Sequence, residues 1–455
     1  DYRVLWKDEN EAVKERYYLA MDRISQITRE STVEEPYRRY FIKTAEFIQM
    51  ISEVKSLVDA DAWNSQSLEE LKLWNERLYE DVLPSHYETS YANPSYAVRQ
   101  LGVEFGPKLS FLYEEIRGQI PFAIRMMKEI LTASKLDDEK RLKEILSMTK
   151  TRLQDRFLSA GHSAAALRAM SYKSPISKFK DTTNGIEYYQ NIREMEEHFD
   201  EKKEEIISGL KALSELLFRK GNVMISYTAS REGLAVLEEE IGSLKEALYP
   251  ERTPESRCIL HCEKKNEGFK TSSKVQFAAK AGNFIDAGEE YNGALQILKV
   301  IMSYEYLWLN IRVKGGAYGC MSNFNRIGEG YFVSYRDPNL GRTLEIYDGV
   351  PEYLENFTVS ERDMTKYIIG TISNIDQPMT PATKGDRSMN LYMNHVSAEM
   401  IRKEREQILT ANQEDIRALA GVARAVLAND QICVIGNEAK IEEEKELFMT
   451  VENLF

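Results

Sequence analysis

The sequence predicts an α+β protein, with a helical N-terminal region over residues 1–128 followed by domains in which an antiparallel sheet is flanked by helices. Apolar residues recur at three- and four-residue steps through most of the chain. The short strand-like runs are segregated from those helices rather than interleaved with them, as a parallel α/β design would need. Composition agrees: 455 residues, 43% hydrophobic and 29% charged, can bury real cores in about two to four domains, and wholesale disorder is ruled out.

Over residues 1–128, Tyr40, Phe41, Ala45, Phe47, Ile48, Ile51 and Val54 mark a helical stripe. Ser67 with Glu70 three places on forms a capping box ahead of Leu71, Leu73 and Trp74. Asn93-Pro94 is a break, and the helical pattern resumes over 96–131, interrupted at Gly106-Pro107 and at Pro121. Residues 129–247 read as a partial α+β domain. Its charged amphipathic helices at 136–158 and 194–218 frame a turn-rich middle at 171–184, and a buried strand at 223–228 closes it.

Residues 248–266, with Pro250, Pro254 and no periodicity, are a linker. A second α+β domain occupies 267–455. It opens with a strand at 274–279 and a long helix over 291–312, then a glycine-rich turn at 315–319 and strands at 320–325 and 331–336. Helices follow at 341–355, at 360–374, where Ser360 is the cap with Asp363 three on, and at 397–428. A strand at 431–435 precedes a terminal helix.

Sixty Lys+Arg against 73 Asp+Glu give a formal charge of −13, a field that repels phosphate backbones, so no nucleic acid partner is expected. No window approaches ~18 uninterrupted apolar residues, so no membrane partner is expected either. Four cysteines, Cys258, Cys262, Cys320 and Cys433, are too few for a disulfide framework and favour a reducing, cytoplasmic home. The chain does not begin with Met and reads as a piece of a longer one.

The five histidines, His86, His162, His198, His261 and His395, are scattered, and neither H-E-x-x-H nor H-x-x-E-H occurs. A solvated helix face explains Glu194 to His198. Cys258, His261 and Cys262 lack the second ligand pair of a finger or ribbon, so no metal is expected on this chain. Nucleophile elbows and phosphate- or dinucleotide-binding loops are also missing. One segment stands out: Arg312 ends a helix before Gly315, Gly316, Tyr318 and Gly319. An Arg fork beside a Tyr hydroxyl can hold a peptide carbonyl or stabilise an oxyanion, although a basic last turn with a glycine cap accounts for the same residues.

Ser134 to Leu142, Gly161 to Tyr172, Asn222 to Thr228, Asn266 to Phe269, Lys274 to Phe277 and Leu307 to Gly319 together resemble the C-terminal, non-zinc-binding half of presequence-protease-like zinc peptidases of the insulinase (pitrilysin) family, over about residues 129–455. The resemblance implies half of a clamshell metalloendopeptidase that degrades unstructured oligopeptides. Zinc would be bound by an N-terminal half, the implied partner, and this chain alone would be inactive. It also implies that Arg312 orients the substrate backbone, that Tyr318 donates to the oxyanion, and that Gly315, Gly316 and Gly319 let the loop approach an extended peptide. Val275, Gln276 and Phe277 are further substrate-binding candidates, as an edge strand open to strand addition or else as ordinary core. Residues 1–128 depart from the pattern and are either the hairpin joining the two halves or an unrelated fused segment. The alternative function is a non-catalytic peptide- or partner-binding protein of the same fold.

Overall fold

A computed structural model describes residues 106–455, apart from 230 and 252–259, with side chains from residue 120 onward. The chain divides into two units, 1–123 and 124–455. The stripe at 40–54, the capping box at Ser67 and the break at Asn93-Pro94 lie outside the described residues. Helix α1 (Gly106–Ala133) runs through Pro121, where the sequence reading expects an interruption.

The unit 124–455 is built on one sheet of six strands: β1 (Glu267–Thr271), β2 (Phe277–Asn283), β3 (Gly319–Phe324), β4 (Glu329–Tyr335), β5 (Gln431–Asn437) and β6 (Thr450–Asn453), in the order β3-β4-β2-β5-β1-β6. β2 lies antiparallel to both β4 and β5, and β3 antiparallel to β4. β1 instead runs parallel to β5 and β6, so the sheet is mixed and not purely antiparallel. The sequence reading misses β1 because Glu267, Gly268 and Lys270 break any apolar run. Its parallel partners are then reached only by a long crossover of the chain.

Alternation along the strands fills two cores. Phe277, Ala279 and Ala281 of β2 join Val333, Cys433 and Ile435 on one face; Ala278 joins Phe332, Ile432 and Val434 on the other. The second face packs on α7 (Ala294–Tyr304), which follows α5 (Phe199–Leu217) and α6 (Arg231–Ala247) in the chain and supplies Leu295, Leu298 and Ile301. The first is covered by α2 (Glu139–Ser171), α3 (Pro175–Asn184) and α4 (Ile186–Glu197), through Phe157, Ala165, Ala169, Ile186 and Tyr189. Residues on both sides of 248–266 therefore share one core.

Two local readings are corrected. The turn-rich stretch at 171–184 is mostly helix α3, capped by Ser174, whose side chain accepts from Ser177 N. The buried residues of α3 are Ser177 and Asp181, polar groups that leave no apolar period to read. Residues 223–228 form no strand: Met224 and Ile225 are exposed, and every strand among the described residues comes from 267–453. A β-branched run without a neighbouring ladder has nowhere to pair. Four expected helices are also broken: that at 194–218 divides at His198 and that at 291–312 at Glu305. That at 341–355 divides at Gly349, and that at 397–428 divides near Asn412, which caps a new helix in a box with Asp415.

Buried charge ties the helical layer to the sheet. Arg168 of α2 donates through Nε and Nη2 to Glu267 of β1 at 2.5 and 2.8 Å, and through Nη1 to Asp181 of α3 at 2.5 Å. Tyr172 adds a bond to Glu267 at 2.9 Å. Charges this deep persist only when paired and hydrogen-bonded. No helix among the described residues is long and apolar enough to cross a membrane.

Candidate functional site

After α7 the chain makes a π-helical turn, Trp308–Val313, in which Lys314 N donates to Leu309 O and Ala317 N to Ile311 O. Such widened turns are rare and concentrate at functional sites. Within this turn Arg312 meets its i−4 neighbour: the guanidinium lies 4.2 Å from the centre of the Trp308 ring. It also lies 5.4 Å from the centre of the Tyr318 ring, and Nη1 donates to the Tyr318 carbonyl at 2.6 Å. Arg312 thus contacts two rings and closes the loop that carries Tyr318.

The glycines make that closure possible. Gly316 has φ +82°, a left-handed conformation costly for any residue with a Cβ. A Cβ on Gly315 would meet the Ile311 carbonyl oxygen at 2.5 Å. Gly319 is under no such constraint, since a Cβ there would find its nearest neighbour at 3.7 Å. Tyr318 leaves the loop 66% exposed, with its backbone N donating to Tyr335 O at 3.0 Å. β3 follows immediately and is an edge of the sheet.

The structure brings Arg312, Gly315, Gly316, Tyr318 and Gly319 together and sets the other three candidates apart. β2 lies between β4 and β5, so its backbone is already paired on both sides. Gln276 exchanges backbone hydrogen bonds with Asp337, both at 2.8 Å. Gln276 and Phe277 are buried, and Val275 N bonds to Ser273 Oγ. Phe277 is thus part of a central strand and not of an open edge, while Val275 and Gln276 precede that strand.

Three neighbours escaped the sequence reading. Trp308 could have been found from its i,i+4 spacing to Arg312 on one helix face. Tyr335 could not, because only the β3–β4 register sets it opposite Gly319. Nor could His162 of α2, whose ring meets Tyr335 edge-on at 4.9 Å and whose pKa burial lowers. Burial, with Asp337 beside it, also pushes the Cys320 thiol up to about 12, although Arg312 opposes this. Among the described residues no group of three or more His, Cys, Asp and Glu could hold a metal ion. Cys258 lies outside them, and His261 is exposed.

Two family models match the chain: one described as the PreP C-terminal domain over residues 266–438, the other as the domain associated with peptidase family M16, subfamily C, over residues 94–195. Protein HypA of Clostridium perfringens is 38% identical over 351 residues, covering 77% of this chain and 36% of that protein. Presequence protease 1, chloroplastic/mitochondrial, of Arabidopsis thaliana is 29% identical over 341 residues, covering 71% of this chain and 31% of that protein. The chain thus spans about a third of the length of these relatives. Among solved structures, a peptidase M16 inactive domain from Pseudomonas fluorescens aligns with a TM-score of 0.48 and 16% identity, over 69% of this chain and 74% of that one.

Proposed function

For a chain that corresponds to the C-terminal half of a presequence-protease-like protein of the insulinase family, we propose the role of substrate-orienting half in a zinc-dependent metalloendopeptidase acting on unstructured oligopeptides. The observation that carries the reading is the set of contacts at Arg312: its guanidinium lies close to both the Trp308 and Tyr318 rings and bonds to the Tyr318 carbonyl, fixing a loop that carries the exposed Tyr318. A donor held before the substrate arrives costs no reorganisation when charge develops, which is the basis of oxyanion stabilisation. Arg312 has donors beyond Nη1, and the reading gives them to a peptide carbonyl. Gly315 and Gly316 keep the loop free of side chains on its approach.

The zinc ion belongs, in this reading, to an N-terminal half. What this chain supplies is orientation and hydrogen-bond donation. Cysteine usage favours a cytoplasmic assembly.

The test is hydrolysis of an unstructured peptide after the chain is mixed with a zinc-binding half. Activity should appear only in the mixture, and Tyr318→Phe should lower kcat on the order of a hundredfold, the usual loss of one oxyanion donor. Arg312→Ala should reduce it too. Hydrolysis by this chain alone with bound zinc would overturn the division of labour. Association without hydrolysis, or indifference to Tyr318→Phe, would favour a non-catalytic peptide-binding protein.

A further inference from the structure

Resting on the reading of Tyr318 as the oxyanion donor, we infer that Tyr335 is a positioning residue for Tyr318, and that the kink in helix α2 is what anchors Tyr335. Tyr318 is mostly exposed, and a side chain in solvent samples several rotamers unless something holds its ring. Its ring lies 5.4 Å from the Arg312 guanidinium and meets the Tyr335 ring edge-to-face at 5.7 Å and 68°. Catalytic donors need placement within about half an ångström, so the second wall of this cradle matters as much as the first.

Tyr335 is itself fixed from several sides. Its hydroxyl donates to the Ser159 carbonyl at 3.1 Å, and its ring packs on Phe277 at 5.6 Å and on His162 at 4.9 Å. Ser159 and His162 flank the one interior residue of α2 with non-helical geometry, Ala160, at φ −133° and ψ 35°. Gly161 then lies against Phe277 so closely that a Cβ would come within 2.4 Å of the ring. In an unbroken α2 the Ser159 carbonyl would point forward along the axis to accept from residue 163; beside the kink at Ala160 it accepts from the Tyr335 hydroxyl of β4. The helical layer thus reaches the candidate site through Ser159 and His162 to Tyr335, and through Tyr335 to Tyr318. Tyr335 acts through its neighbour, on the arrangement of the Tyr318 hydroxyl.

The test is a double-substitution cycle in the mixed-halves hydrolysis assay, with wild type, Tyr318→Phe, Tyr335→Phe and the double variant. Tyr335→Phe keeps the ring and removes only its bond to Ser159. It should lower kcat about fivefold, the rate equivalent of one ordinary hydrogen bond, with KM unchanged. In the Tyr318→Phe background the same change should have no effect, because the donor it positions is gone. Equal losses in both backgrounds, as a general loosening of the fold would give, would overturn the inference. So would a Tyr335→Phe variant with wild-type kcat beside an impaired Tyr318→Phe. Full activity in Tyr318→Phe would instead overturn the oxyanion reading on which this rests, a distinguishable failure.

Discussion

Replacing Arg168 with Met removes the cation from a buried group of two carboxylates. The side chains of Arg168, Asp181 and Glu267 are 5%, 0% and 3% exposed. Methionine fills the space of the aliphatic stem but makes none of the three bonds at 2.5, 2.8 and 2.5 Å. Breaking a buried pair costs about 3–5 kcal/mol, because the remaining charge is left uncompensated. Here two charges remain, so we expect the upper part of that range. Tyr172→Phe, which loses one hydroxyl bond to the same Glu267, should cost about 1 kcal/mol.

The loss should also depend on pH with a definite sign. Burial raises the Asp181 pKa while Arg168 opposes the rise; without Arg168 it climbs further. A carboxyl whose folded pKa lies above its unfolded value favours the folded state below the unfolded pKa and loses that contribution as pH rises through the folded one. The deficit of Arg168→Met should therefore be smallest in acid and grow with pH above the usual Asp range. Urea unfolding followed by far-ultraviolet circular dichroism at a series of pH values measures both. A deficit below about 1 kcal/mol at neutral pH, or one flat with pH, would refute the view that buried charge fastens α2 and α3 to β1.

Other substitutions probe the site and its support. Gly316→Ala should cost about 1 kcal/mol for its left-handed backbone, while Gly315→Ala should cost more, since its Cβ would press on a carbonyl oxygen at 2.5 Å; urea midpoints rank the two, and a reversed order would contradict the loop geometry. Burial holds the His162 pKa below its ordinary 6.5, so its contribution to stability is fully present above 6.5 and is lost as pH falls through the lowered value. An acid-side fall in the unfolding midpoint should flatten in His162→Gln, and an identical pH profile in that variant would count against it. Gly161→Ala should destabilise the contact with Phe277 by about 1–3 kcal/mol, as overpacking does, read out as a lower midpoint with an unchanged slope.

Much of the architecture was legible in the sequence, because helix-period stripes and short β-branched runs are local signals. Ser360 and Asp363 cap a helix where expected, and the two strands after the glycine-rich turn form the β3–β4 hairpin. Strand β1 was not legible, since a five-residue segment holding Glu267, Gly268 and Lys270 becomes a strand only between β5 and β6. Helix α3 was equally hidden, its inward face being Ser177 and Asp181, whose partners Glu329 and Arg168 belong to other elements, β4 and α2.

For the site the same division holds. Arg312, the glycines and Tyr318 lie within eight consecutive residues, so the sequence alone determined that a cation and a phenol share one glycine-rich loop. Whether β2 was an edge or a centre depended on which strands flank it, a matter of long-range pairing that composition cannot encode. Only the tertiary structure placed Tyr335 behind Tyr318 and the kinked helix behind Tyr335. Those contacts join residues 17 and 176 positions apart, and no periodicity within a segment records what another segment will bring to its surface.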